Sequence, residues 1–173
     1  GMVPGILNIA WTYMQDTFAI TGESLGLLLT AATTGRLLVV FFSGRVIDRF
    51  GLFWALLLAC ALGMSGLVAI ALAPTFTVLL IAFFVASMGN GVIDVAVNAF
   101  ASSYYSKGPM NWLHASFGVG LTISPFLVTF QVVQLGLSWR WGYALMIVIY
   151  GILALTFLLT RALWVMPVAE EDT

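Results

Sequence analysis

The sequence predicts an all-α integral membrane protein with six transmembrane helices. Of its 173 residues 62% are hydrophobic and only 8% are charged, and the mean hydropathy of +1.09 is far above that of soluble domains. Apolar runs long enough to cross a hydrocarbon layer of about 30 Å recur along the whole chain, and lipid forces a spanning backbone to be helical. The lone cysteine, Cys60, excludes an internal disulfide and a Cys-based zinc site.

We expect six spans, separated by short polar or Gly/Pro-marked turns, at residues 2–15, 24–43, 52–73, 76–104, 110–133 and 142–165. They make one bundle over residues 1–165. The first span covers about 21 Å at 1.5 Å per residue, which is too short to cross unaided, so we expect its beginning to be missing. The acidic residues 166–173 form a cytoplasmic tail or the start of a linker.

The basic residues of the connections are unequally shared between the two sides. One side receives Arg45, Arg49, Lys107 and Arg161, and the other receives Arg140. By the positive-inside rule the richer side is cytoplasmic, which places the 44–51 loop and the tail in the cytoplasm. We expect the bundle to lie in the plasma (inner) membrane.

A polar face in the fourth span is the first functional candidate. Asn90, Asp94 and Asn98 follow one another at i, i+4 and i+8, which puts them on one side of a helix. A charge at membrane depth costs at least roughly 2.5–3.5 kcal/mol, so this face turns to the bundle interior or to a water-filled path. Arg36 of the second span lies at the same depth, and the pair it forms with Asp94 is either structural or opened by protonation.

Two further stripes carry polar groups. In the fifth span Asn111 and His114 share a face. Histidine is the side chain that changes charge near neutral pH, so His114 is a candidate for proton coupling. The alternative is a neutral histidine that is hydrogen-bonded to a neighbouring helix, for example at Asn98. The first span carries an inward-facing polar and aromatic stripe, suited to a sugar ring or to helix packing: Asn8, Trp11, Thr12 and Gln15.

An enzymatic alternative rests on "GMSG" at 63–66, which has the form seen in rhomboid intramembrane proteases. Ser65 and His114 are separated by roughly 13 Å along the membrane normal, whereas a serine and its base must come within about 3 Å. We therefore expect no enzyme, no metal site and no cofactor, and "GMSG" is better interpreted as a small-residue packing face. Nucleic-acid binding is not expected, because the chain has no basic patch.

Two stretches resemble a known family. "SGRVIDRFG" resembles the signature loop of the major facilitator superfamily, through Gly44, Asp48, Arg49 and Gly51. "GNGVIDVAVNAF" and "MNWLHASFGVG" are similar to the fourth and fifth helices of its fucose-permease-like branch of sugar:proton symporters. The resemblance implies the N-terminal six-helix half of such a transporter, made of two inverted three-helix repeats.

The resemblance also implies roles for individual residues. An acid of the fourth helix couples protons in that branch and an asparagine one turn on contacts sugar, which match Asp94 and Asn98, while Thr12 stands where the branch has a second acid. The implied function is secondary active transport of a small polar solute, a sugar, by proton-coupled alternating access. The partners are the bilayer, the solute, protons and a second six-helix half, in the same polypeptide or in a dimer. Efflux of drug-like molecules and a non-transporting assembly or sensor module are the alternatives.

Overall fold

The computed structural model describes residues 2–105 and 107–164, and this part of the chain is helical throughout apart from short connections. The six main helices are α1 (Met2–Phe18), α2 (Ser24–Phe50), α3 (Leu52–Leu72), α4 (Phe76–Tyr104), α5 (Lys107–Thr129) and α6 (Arg140–Leu159). A π-helical turn, Phe130–Gln134, extends α5, and a 3-10 turn, Arg161–Leu163, follows α6. The prediction of an all-helical protein with six helices is confirmed. The predicted tail at 166–173 lies outside the described residues.

Five helices of the described chain are long and apolar enough to cross a membrane: α2, α3, α4, α6 and the segment Met110–Gln134 of α5 with its π-helical turn. The remaining helix, α1, has 17 residues. Its length falls short of the about 20 residues that a transmembrane helix needs.

The connection between α2 and α3 differs from the expected loop. The helix continues through Gly44, Asp48 and Arg49 to Phe50, so the 44–51 segment is helical except at its last residue. Charged residues at a membrane edge are compatible with helical backbone and do not end a helix. Gly51 ends it, because its φ of +83° leaves the helical region while its N–H still bonds the Ile47 carbonyl at 2.8 Å.

The packing centre of the bundle is α4, which lies against α2 on one side and α3 on the other. The contact with α3 is so close that a Cβ at Gly89 would lie 2.3 Å from the backbone nitrogen of Gly63. A Cβ at Gly66 would lie 2.3 Å from the backbone nitrogen of Ala86. Small residues permit this backbone approach, and the interpretation of "GMSG" as a packing face is confirmed.

One end of the bundle is closed by Arg140 and Trp139 at the start of α6. The Arg140 guanidinium donates to the carbonyls of Ala71 and Ala73, at 2.6 and 2.8 Å, and so satisfies the C-terminal end of α3. The Trp139 indole donates to Thr17 Oγ1 of α1 at 3.0 Å. These contacts join the ends of three helices.

Of the five helices long enough to cross a membrane, α2 and α5 are the least buried. α5 packs mainly against α1 and only lightly against α4, so a gap opens between α4 and α5. The polar face of α4 lies along this gap, and this is where the candidate site is found.

Candidate functional site

An ion pair joins α2 to α4 well inside both helices. Arg36 Nη2 donates to Asp94 Oδ2 at 2.5 Å, and both side chains are partly accessible, 50% for Arg36 and 39% for Asp94. The expected pairing of these two residues is therefore present. Each charge is balanced by the opposite charge of its partner, which lowers the free-energy cost of placing both groups within an apolar bundle.

The stem of Arg36 is held by the close approach of its helix to α4. A Cβ at Gly91, one turn before Asp94, would lie 2.6 Å from Val39 Cγ2 and 3.3 Å from Arg36 Cγ. On the other side of the same contact, a Cβ at Gly35 would lie 2.3 Å from the Phe84 carbonyl oxygen. Two glycines thus set the distance between the helices that carry the pair.

A cavity of about 470 Å³ opens beside the pair, between α2, α4 and α5. It brings together residues of those three helices: Arg36, Ile93, Asp94, Val97, Asn98, Leu113, His114, Ser116 and Phe117. The volume lies within the range of about 300–1,000 Å³ that is typical of small-molecule sites. The three residues expected to couple protons, Asp94, Arg36 and His114, therefore line one cavity.

A second, smaller cavity of about 90 Å³ lies on the other side of the pair. Its lining includes Val3 and Pro4 of α1 together with Ser87 and Asn90 of α4. Arg36, Asp94 and Phe117 line both cavities. The ion pair therefore occupies the boundary between the two spaces.

The two asparagines of the α4 face make different contacts. Asn90 Oδ1 accepts a hydrogen bond from the Tyr150 hydroxyl of α6 at 2.5 Å, and its amide nitrogen donates to the Ala86 carbonyl at 3.1 Å. Asn98 donates to the backbone carbonyl of Asp94 at 2.7 Å. Asn90 thus links α4 to α6 by a side-chain hydrogen bond, whereas Asn98 lines the larger cavity without bonding another helix in the described part of the chain.

Some predicted path residues do not line either cavity. Trp11 is packed in the hydrophobic core with Met14, and Asn8 and Thr12 are exposed on α1, so the expected inward-facing stripe is divided between two sides of the helix. Gln15 is half-buried near the far end of α1, and Asn111 is exposed on α5. The core takes the apolar and aromatic side chains of α1, and the polar side chains Asn8 and Thr12 lie on its exposed face.

The structure also adds residues that were not predicted. Phe117 lies one helical turn after His114, so the periodicity of α5 was a signal that would have placed it on the cavity side. Tyr150 carried no comparable signal, because a tyrosine in an apolar span has no polar neighbours to mark its face. Ser116 is a further cavity-lining residue.

The residues of the protease alternative are engaged elsewhere. The Ser65 hydroxyl donates to the Leu62 carbonyl of its own helix at 2.9 Å, and Ser65 is exposed. Gly63 and Gly66, on either side of Ser65 in the sequence, form the close contact between α3 and α4 described above.

The segment that resembles the signature loop lies at the end of α2 away from Arg140. Asp48 and Arg49 are exposed, and the Arg49 guanidinium lies 6.0 Å from the centre of the Phe50 ring. One turn earlier the Arg45 guanidinium lies 5.8 Å from the Phe42 ring. Both arginines thus rest on aromatic rings at the helix end.

Comparison with known proteins agrees with this architecture. The sequence profile of the Major Facilitator Superfamily matches residues 1–172. The chain is 33% identical to an uncharacterised transporter, y4wD, of Sinorhizobium fredii over 132 residues, which are 70% of this chain and 34% of that protein. It is 24% identical to a hexuronate transporter of Bacillus subtilis over 147 residues, which are 83% of this chain and 34% of that protein.

The chain spans about a third of the length of these relatives. The family match covers nearly all of it, and the apolar helices agree with a protein integral to the membrane. The chain therefore belongs to the Major Facilitator Superfamily of membrane transporters and not to a family of enzymes.

Proposed function

We propose that the chain is the N-terminal half of a secondary active transporter that moves a small polar solute, a sugar or sugar derivative, by proton-coupled alternating access. The observation that carries this proposal is the Arg36–Asp94 pair, which is partly accessible and borders a cavity of about 470 Å³ at membrane depth. Ionisable groups in such places mark solute or ion pathways.

Asp94 is the proton-sensitive group in this proposal. Adding a proton to its carboxylate removes the negative charge that holds Arg36, so the contact between α2 and α4 at this point becomes weaker. His114 lines the same cavity and is a second group able to bind a proton. A change of charge here alters which neighbouring helices attract each other, and this is how a proton can bias a transporter between two states.

The solute would lie in the larger cavity. Asn98 and Ser116 supply hydrogen-bonding groups, and Phe117 supplies a ring face on which a sugar can stack. One relative is a hexuronate transporter, and a hexuronate is a sugar acid, which supports a solute of this size. The fucose-permease-like resemblance of α4 and α5 supports the same class.

Alternating access requires a second six-helix half that faces the first. The gap between α4 and α5, with the exposed sides of α1 and α2, is the surface that we assign to that half. The helix contacts support two inverted three-helix repeats, α1–α3 and α4–α6. In such a pair of repeats α1 corresponds to α4 and α2 to α5, so the contact of α1 with α5 corresponds to the contact of α4 with α2. Loading and release would follow from rocking of the halves about the cavity.

The orientation follows from charge. Arg45, Arg49 and Arg161 lie at one end of the bundle and Arg140 at the other, so we propose that the 44–51 segment and the tail face the cytoplasm, with the bundle in the plasma membrane.

The proposal is tested with the full-length protein in proteoliposomes. Asp94→Asn is expected to abolish accumulation of a sugar driven by a pH gradient while exchange of sugar across the membrane continues. Asp16→Asn is the matched control, because Asp16 is exposed at the far end of α1. Accumulation by Asp94→Asn at the wild-type level would contradict the proposal.

A further inference from the structure

We propose that Arg36 binds the carboxylate of a sugar-sized acid, and that this carboxylate replaces Asp94 as its partner when Asp94 accepts a proton. The inference rests on the proposed function, because it names the charge of the solute that the same cavity takes. It commits to an anionic solute, whereas a neutral sugar would leave the ion pair intact.

The guanidinium of Arg36 is only partly used. Within the described residues its contact with Asp94 is a single hydrogen bond, from Nη2 to Oδ2. A guanidinium carries five N–H donors in a planar fork, which matches both oxygens of a carboxylate at once. Donors therefore remain for an incoming acid.

The pair is open to the space where such an acid would lie. Half of the Arg36 side chain is accessible, and it lines both the larger and the smaller cavity. Water competes with exposed ion pairs, so a pair this accessible contributes little to stability. The Arg36 fork can therefore be reached from the cavity without moving a helix.

Charge balance links the acid to the proton. In the structure, the positive charge of Arg36 is balanced by the negative charge of Asp94. A carboxylate that enters alone would add an unbalanced negative charge at membrane depth, which is costly. When one proton neutralises Asp94 and one carboxylate takes its place on Arg36, the net charge of the cavity is unchanged and no covalent bond is made to the solute.

The other titratable groups near the pair come from each packed helix. α5 contributes His114, which lines the same cavity, and α6 contributes Tyr150, which bonds Asn90 one turn from Asp94. Cys60 of α3 is buried in the neighbouring core, and α1 contributes apolar side chains to the smaller cavity. His114 is therefore the group whose protonation has to be separated from that of Asp94.

The test compares two solutes that share a ring and differ in a carboxylate, D-glucuronate and D-glucose, on the purified full-length protein. Affinity is measured from ligand-induced shifts in thermal unfolding. We expect the wild type to bind glucuronate roughly tenfold to hundredfold more tightly than glucose, as charge-assisted hydrogen bonds imply. Arg36→Gln is expected to lose that preference, while Arg45→Gln, a matched arginine on the same helix outside the cavity, keeps it.

The pH dependence of binding distinguishes two cases: the carboxylate replaces protonated Asp94 on Arg36, or it is simply attracted to the charge of Arg36. Affinity is measured at two pH values, and the wild type is expected to bind glucuronate more tightly at the lower one, where more of Asp94 is protonated. Asp94→Asn is expected to bind glucuronate tightly at both pH values, since asparagine no longer competes for Arg36. His114→Gln is expected to keep the wild-type pH dependence, and loss of the dependence in that variant would assign it to His114 and overturn the exchange.

The two proposals fail separately. Equal affinity for glucuronate and glucose, or no stabilisation by glucuronate, galacturonate or gluconate, overturns the anionic site even if a neutral sugar is accumulated under a pH gradient. Tight, Arg36-dependent binding of glucuronate without any accumulation supports the anionic site and contradicts the proposed function.

Arg36→Lys provides a second variant, which keeps the positive charge but not the planar fork of N–H donors, and is expected to bind glucuronate with intermediate affinity.

Discussion

Arg140 and Arg36 both place a guanidinium among apolar helices, but they are used in opposite ways. Arg140 donates to two backbone carbonyls at the end of α3 and lies 4.8 Å from the Trp139 ring, so its contacts hold helix ends together. Arg36 makes one described hydrogen bond, to a carboxylate, and borders two cavities. The comparison shows two arginines with different surroundings: Arg140 is bound to backbone at a helix end, whereas Arg36 is bound to a carboxylate beside open space.

The largest effect on stability is expected at the architectural arginine. Arg140→Gln removes two charge-assisted hydrogen bonds and leaves the Ala71 and Ala73 carbonyls unpaired, which we expect to cost about 4 kcal/mol. Thermal unfolding in detergent measures the loss. Arg45→Gln is the control, and an equal melting temperature for both variants would remove the distinction between the two arginines.

The next effect compares the tight contact between α3 and α4 with the open surface of α5. Gly89→Ala forces a methyl group onto the α3 backbone, where neither partner can move, and should cost about 3 kcal/mol. Gly118→Ala on α5 has no atom within 4 Å of the new Cβ and is expected to be neutral. Unfolding of the two variants at the same temperature would mean that the close contact between α3 and α4 does not exist in the membrane.

A smaller effect is expected for the ion pair itself. Because both side chains are partly accessible, we expect the interaction of Arg36 with Asp94 to contribute about 1 kcal/mol to stability. Arg36→Gln with Asp94→Asn should therefore be less destabilising than the sum of the two single changes. Strictly additive losses in unfolding experiments would show that the two side chains are not coupled.

The smallest effect is expected at the contact between Tyr150 and Asn90. Tyr150→Phe removes one hydrogen bond between helices, a kind of bond that averages about 0.6 kcal/mol in membranes. Tyr13→Phe is the matched control, since no described residue bonds the Tyr13 hydroxyl. A loss above that of Gly89→Ala would indicate that Tyr150 has a larger role than its hydrogen bond to Asn90.

Helical periodicity was sufficient to predict the Arg36–Asp94 pair of the candidate site. The four-residue spacing of Asn90, Asp94 and Asn98 defined a face, and the rise per residue placed Arg36 level with Asp94, where the structure joins them. The same rules apply to any regular helix, which is why they worked at membrane depth.

Other features depended on contacts that a sequence pattern does not contain. Trp11 was assigned to the solute path, but the core between α1 and its neighbours buries it, because the burial of a large ring depends on which helix lies opposite. Asp48 and Arg49 were assigned to a loop, although only Gly51 has the backbone conformation that ends α2. The Tyr150–Asn90 bond joins residues 60 positions apart and has no signal in either helix alone.

The most direct test concerns Asp94 as the group that takes up the proton. With the full-length protein in proteoliposomes without an ion gradient, addition of a transported sugar or sugar acid should make the outer solution more alkaline as protons enter with the solute. Asp94→Asn should transport the solute down its gradient with no such pH change, while Asp16→Asn behaves as the wild type. An undiminished pH change in Asp94→Asn would contradict the account.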